Sequence, residues 1–338
     1  MKKYLLLCLL MAVGCAQAAT YTQWVQGVSV ESGWSDFNKS DPDVADGDNN
    51  LCWAAATSNV INWWQQRYET PAEAPQGKEI WNTFQNSVSG DVGGSNACAF
   101  QWWLTGQYDR DDSNGRYAYW SSSSMSIQNN TINGEPGFEG FYRDLESTIP
   151  PNEGHYYRWH YELSRFVTFV ETNTGTLPDS LGFTVVEALR GGAAATISLS
   201  NFKNEGHAIT LWGVEYNDSY DLTGLWLTDS DDLQYGLNPE GIFYVALQEQ
   251  TVTVTLTPSN GADSYQEERT YLTFAGLEAG DWYWKGDSFN NETLFINRIE
   301  FFNTSVSDTW GLQRIPEPAT ATLGLLALVG LAGRRRRR

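Results

Sequence analysis

The sequence predicts an α+β fold in which N-terminal helices pack on a C-terminal antiparallel sheet. Three observations carry this expectation. Residues 51–68, LCWAAATSNVINWWQQRY, place Ala54, Ala55, Ile61 and Trp64 at helical spacing. From residue 193 the pattern changes to short apolar or alternating runs separated by Asn, Asp and Gly, as in strands joined by turns. Helices come first and strands later, which favours segregated α+β layers over alternating βαβ units.

Taken in order, the chain opens with MKKYLLLCLLMAVGCAQA, where two lysines, an apolar run and a small-residue site near Ala18 make a secretory signal peptide of residues 1–18. A lipoprotein reading at Cys15 comes second. Residues 20–50 read as irregular and close in the acidic run DPDVADGDNN, which lacks the residue order and distal Glu of a calcium-binding loop and is a solvated loop. Helices are predicted over 51–68, 77–88, 138–147 and 179–190, the last opened by Pro178-Asp179 and closed by Gly191-Gly192. The stretch 89–135, rich in Gly, Ser, Asn and aromatics, reads as a long insertion or loop. Strands are predicted in AAATISLS (193–200), HAITLWGVEY (207–216), LTGLWLTD (222–229), GIFYVALQ (241–248), TVTVTLTP (251–258), YLTFAGLEA (271–279) and LFINRIEFF (294–302). No linker interrupts this series, so residues 19–312 form one expected domain.

The chain ends IPEPATATLGLLALVGLAGRRRRR. The apolar run 319–333 is shorter than the roughly 20 residues of a bilayer span. Pro316-Glu317-Pro318, a short apolar stretch and five arginines resemble, within 313–338, the PEP-CTERM sorting tail of bacterial exported proteins. That resemblance implies a protein held at the cell surface or secreted, a sorting peptidase acting on the tail, and membrane contact through the tail alone. A plain C-terminal anchor with a positive-inside flank is the other reading.

The chain carries 41 acidic and 21 basic residues, a net charge of −20, and loss of both ends leaves it more acidic still. Such a surface repels nucleic acid and anionic lipid, which excludes both as partners. An aromatic content of 14% argues against disorder.

Of four cysteines, Cys8 and Cys15 leave with the signal, so Cys52 and Cys98 remain. In an exported protein they could form a disulfide. Alternatively, Cys52 at a helix N-terminus sits in the positive end of the macrodipole, which favours the nucleophilic thiolate. His155 and His160, in GHYYRWHYE, lack metal-ligand spacing and read as surface or packing residues. His207 opens HAITLWGVEY, and Asp229 and Asp231 close the next apolar run in LWLTDSDD. Adjacent strands would set such a carboxylate beside the imidazole, holding its tautomer and stabilising imidazolium. Most other acids, Asp232 among them, serve solubility.

Cys, His and acid in that order, with Cys on an early helix and His on a later strand, is a papain-like arrangement. The segments GWSDFNK (33–39), NLCWAAATSNVINWW (50–64), HAITLWGVEY (207–216) and LTDSDD (227–232) resemble the IdeS/Mac family of secreted bacterial immunoglobulin-degrading cysteine endopeptidases. The resemblance implies a papain-like fold with Cys52 as nucleophile, His207 as general base and acid, Asp229 as orienting carboxylate and Asp231 in support. It implies Lys39 as an oxyanion donor beside the Cys52 N–H, no cofactor or metal, and an extracellular protein substrate, immunoglobulin included. Trp53 departs from the Gly expected after the nucleophile, and Asp46 stands where a papain-type Gln would be. The rival reading is a non-catalytic surface binding module with a degenerate peptidase fold. Its contact face would use Trp102, Trp103, Trp120 and Trp159.

Overall fold

A helix with fourteen consecutive buried residues, α1 (Cys52–Gln65), lies at the centre of the protein. Surface helices bury one apolar stripe, whereas a helix buried all round belongs to the interior. Here Trp53, Trp63 and Trp64 fill the core, while Ala54, Ala55 and Ala56 let neighbouring elements come close. The computed structural model describes residues 19–39, 50–88, 94–106, 131–142, 167–172, 177–202, 205–231, 241–256, 263–275, 295–304, 307 and 312–315.

Among these residues three further helices follow α1: α2 (Lys78–Ser87), α3 (Asn96–Thr105) and α4 (Leu181–Arg190). Ser95 caps α3 by accepting the Cys98 N–H, and Gly106 ends it in the left-handed region at φ 71°. The strands are β1 (Thr20–Trp24), a short hairpin of β2 (Thr131–Ile132) and β3 (Glu135–Pro136), β4 (Val167–Glu171), β5 (Ala194–Phe202), β6 (Glu205–Asn217), β7 (Leu222–Thr228), β8 (Phe243–Leu256), β9 (Tyr265–Phe274) and β10 (Phe295–Phe302). The main sheet runs β4-β10-β5-β6-β7-β8-β9, antiparallel at every pairing, with β1 added along the far end of β6. It curls until β9 meets β10, where the Tyr271 and Phe295 rings stack at 4.3 Å, so the seven strands nearly close into a barrel. The architecture is therefore mixed α+β. No described helix is long and apolar enough to cross a membrane.

Helix α1 packs on β5 and β6 on one side and on α2 and α3 on the other. Phe84 of α2 lies against Trp102 and Trp103 of α3, with ring centroids 5.2 and 5.5 Å apart. Both tryptophans are wholly buried, so neither belongs to a contact face. Trp120 and Trp159 lie outside the described residues.

The structure corrects several sequence expectations. Residues 20–50 are not irregular throughout, because 20–24 form β1 and pair with 213–217 of β6. The expected loop 89–135 contains α3, whose near-uniform apolarity reflects burial and leaves no helical stripe to detect. The expected helix over 138–147 is absent at 139–142, where the Phe141 and Tyr142 N–H groups donate to Trp103 and Leu104 at the end of α3. Residues 143–147 lie outside the described set. Residues 243–248 of GIFYVALQ and 251–256 of TVTVTLTP belong to one long strand, β8, and β9 begins at Tyr265, ahead of its expected start. β4 had no counterpart among the expected strands. The signal peptide, His155, His160, Asp46, Asp232 and residues 316–338 lie outside the described residues. Residues 313–315 hydrogen-bond to 67–69 beyond the C-terminus of α1.

Candidate functional site

Cys52 is the first residue of α1. Leu51 at the N-cap makes no side-chain hydrogen bond, so no capping oxygen offsets the positive end of the helix dipole. The helix is pinned to β6 by Thr210, whose Oγ1 donates to the Ala56 carbonyl at 3.4 Å. Three residues earlier on β6 stands His207. Thr210 is in register with Thr228, the last residue of β7, so the chain that follows β7 runs back toward His207. Asp229 is the first residue of that turn.

His207 Nε2 lies 2.8 Å from Asp229 Oδ1, and the same oxygen accepts the Asp231 N–H at 3.1 Å. His207 is also hydrogen-bonded to the Cys52 thiol, and with Nε2 on Asp229 the ring nitrogen left to serve sulfur is Nδ1. The segment 35–39 closes the site from a third direction. Its last residue, Lys39, donates its backbone N–H to the Ser230 carbonyl at 2.8 Å and brings Nζ within 2.5 Å of Asp231 Oδ1. Lys39, His207, Asp229 and Asp231 are each no more than 3% exposed, and Cys52 is 9% exposed.

Burial alone would push the Cys52 thiol up. The positive His207, its hydrogen bond to sulfur, and Lys39 together outweigh burial and the opposing Asp231, and bring the thiol below its ordinary range. Burial likewise disfavours a charged His207, yet Asp229, Asp231 and Cys52 hold its imidazolium well above the usual range. The Lys39 ammonium loses hydration on burial and is held charged by Asp231, Cys52 and Asp229. These shifts favour a thiolate–imidazolium pair, with a carboxylate behind the imidazole and an ammonium–carboxylate pair alongside.

Cys98 stands apart. Both cysteines are free thiols, so the disulfide reading is set aside. Burial pushes the Cys98 thiol up to about 11, against the Ser95 hydrogen bond and with help from Glu300. Such a thiol is inert at neutral pH.

His207, Asp229 and Asp231 also present donor atoms within 4.8 Å of one another, a set able to hold a cation. Here the Lys39 ammonium sits on Asp231, and Asp229 holds the imidazole and an amide. A metal ion would have to displace these groups.

All five residues singled out in the sequence, Cys52, His207, Asp229, Asp231 and Lys39, thus meet in one site. Sequence reasoning missed Asn59 and Asn62, buried amides of α1 that hold the 35–39 segment. Their trace in the sequence is faint: two amides three residues apart, beside Thr57, Ser58 and Gln65 in the same helix.

A family model described as Mac-1 (Mac 1) matches residues 11–75. The match takes in Lys39 and Cys52 with their surrounding segments and ends before HAITLWGVEY and LTDSDD. This corrects the resemblance drawn from the sequence: a likeness spread over four segments from 33 to 232, with a sorting tail, reduces to the N-terminal part of the chain. Apolar alternation in the later segments is imposed by burial on any antiparallel strand and is weak testimony to kinship. No curated protein matches the chain.

Proposed function

We propose that the protein is an exported cysteine-type endopeptidase that hydrolyses peptide bonds of an extracellular protein, with α1, β6 and the turn after β7 serving as a papain-like catalytic core. The single observation that carries this reading is the buried Cys52–His207–Asp229 chain at the head of α1. Structural cysteines are inert when buried. This one is buried yet biased toward thiolate by an imidazolium and an ammonium.

In this mechanism the Cys52 thiolate attacks the scissile carbonyl carbon, and the carbonyl π electrons move to oxygen. The resulting oxyanion takes hydrogen bonds from the Cys52 N–H and a Lys39 N–H. As the tetrahedral intermediate collapses, the C–N bond breaks and His207 gives its Nδ1 proton to the leaving amine, leaving a thioester. His207 then takes a proton from water, whose oxygen attacks the thioester carbonyl. Collapse releases the carboxylic product and restores the thiolate–imidazolium pair. Asp229 keeps Nε2 engaged, so Nδ1 faces sulfur throughout.

The test is iodoacetamide labelling followed by peptide mapping, with hydrolysis assayed on a mixture of extracellular proteins. Cys52 should label rapidly at neutral pH and Cys98 should not. Cys52→Ala should abolish hydrolysis while keeping the thermal unfolding midpoint. Full hydrolysis by Cys52→Ala would refute the reading, whereas a wild-type Cys52 that does not label would favour a binding module.

A further inference from the structure

The site is built from three stretches of chain: segment 35–39 carrying Lys39, helix α1 carrying Cys52, and strand β6 carrying His207. One side chain of α1 binds to both of the other stretches. Asn59 lies on α1 about two helical turns after Cys52 and is 1% exposed. Its Oδ1 accepts the Phe37 N–H at 2.9 Å, two residues before Lys39. Its Nδ2 donates to Thr210 Oγ1 at 3.0 Å, and Thr210 Oγ1 in turn donates a hydrogen bond to the Ala56 carbonyl on α1. A carboxamide offers an acceptor and a donor on one rigid plane, which a carboxylate cannot do. Nearby contacts leave segment 35–39 little other freedom: Asn62 Nδ2 donates to Ser35 Oγ at 2.7 Å, and Thr228 Oγ1 donates to the Ser35 carbonyl at 3.1 Å.

We propose that Asn59 is a positioning residue for the Cys52, His207 and Lys39 constellation, acting through Phe37 and Thr210 without touching substrate. The inference rests on Cys52 being the nucleophile. Asn59 is the point where the Lys39 segment and the His207 strand are both registered on the helix that presents the thiol. A displacement of about 1 Å between such groups can cost about 10²-fold in rate.

The experiment uses the full chain and five forms: wild type, Asn59→Ala, Thr210→Val, Lys39→Ala, and the Asn59→Ala/Lys39→Ala double variant. Cys52 alkylation by iodoacetamide is followed across pH, beside kcat, KM and thermal unfolding. In Asn59→Ala the alkylation profile should move to higher pH and kcat should fall by about 10²-fold with KM little changed. Thr210→Val keeps the side-chain shape and removes the hydroxyl, so it should move the profile the same way by less. It carries the test should Asn59→Ala fail to fold. In the Lys39→Ala background the Asn59 effect on kcat should shrink, because both act on one group. A folded Asn59→Ala with the wild-type pH profile and kcat, or with lowered stability alone, overturns the proposal and makes Asn59 a scaffold residue. If wild-type Cys52 alkylates no faster than an ordinary thiol, the failure belongs to the peptidase reading instead.

Discussion

Asp229→Asn removes one charge from the site while sparing most of its geometry. Asp229 Oδ1 accepts both the His207 Nε2–H and the Asp231 N–H, and the carbonyl oxygen of Asn can accept the same two bonds. What disappears is the attraction between carboxylate and imidazolium. At the observed 2.8 Å and an effective dielectric of about 20, that attraction is about 6 kcal/mol. Burial of the imidazolium opposes it and cancels a large share. If one third survives as preference for the charged pair, about 2 kcal/mol, the thiolate–imidazolium population falls about 30-fold on removal. The assay is the second-order rate of Cys52 alkylation at neutral pH, set beside kcat and KM for proteolysis. Both the alkylation rate and kcat should drop at least about 30-fold with KM near wild type, and the loss of stability should be no larger than the same ~2 kcal/mol. Asp231→Asn should disturb His207 less, since its carboxylate faces Lys39. An unchanged alkylation rate in Asp229→Asn, or equal mild effects of the two substitutions, would refute the assignment of Asp229 as the orienting carboxylate.

Lys39→Ala should lower kcat by about 10²–10³ if its ammonium is an oxyanion donor. It should also cost about 3–5 kcal/mol of stability, because Asp231 is left as an unpaired buried charge; urea denaturation and initial-rate kinetics read the two losses separately. Stability should depend on pH in opposite senses for the two members of the reactive pair. His207 has a raised folded value, so its stabilisation is complete below about pH 6.5 and is lost as pH rises from there through the higher folded value. Cys52 has a depressed value, so its stabilisation is present above pH 9.0 and is lost as pH falls through the folded value. Denaturation of His207→Ala at stepped pH should lack the loss on the alkaline side; a slope equal to wild type would show that His207 is not held charged.

Legibility followed the local strength of each pattern. Helix α1 was visible because alanines and tryptophans recur with few breaks, and α2 and α4 fell within two residues of expectation. Strands β5, β6, β7 and β10 were visible from their apolar runs. β1 is five residues long, and its partner 213–217 is some 190 positions away, so nothing nearby in the chain announces the pairing. α3 was read as loop because Trp102, Trp103, Phe100 and Leu104 are buried on several sides at once, which erases amphipathic spacing. The Cys52–Cys98 disulfide was a fair reading of an exported chain. It gave way because one thiol heads α1 beside His207, whereas the other lies on α3 near Ser95 and Glu300.

By itself the sequence singled out the candidate groups of the site and their order along the chain. A thiol at the start of an apolar helix, an imidazole at the start of an apolar run and two acids at the end of the next run are all local patterns. Local patterns persist because helix and strand periodicity are set by nearest neighbours along the chain. Tertiary structure alone decided how these groups share charge. It put the Lys39 ammonium on Asp231 and the Asp229 carboxylate on Nε2 of His207, leaving Nδ1 for sulfur. It also decided that Asn59 and Thr210 should tie the Lys39 segment, α1 and β6 together. Those bonds join residues 22 and 151 positions apart. Their existence depends on how α1 and β6 pack in space, and a one-dimensional pattern carries no record of that.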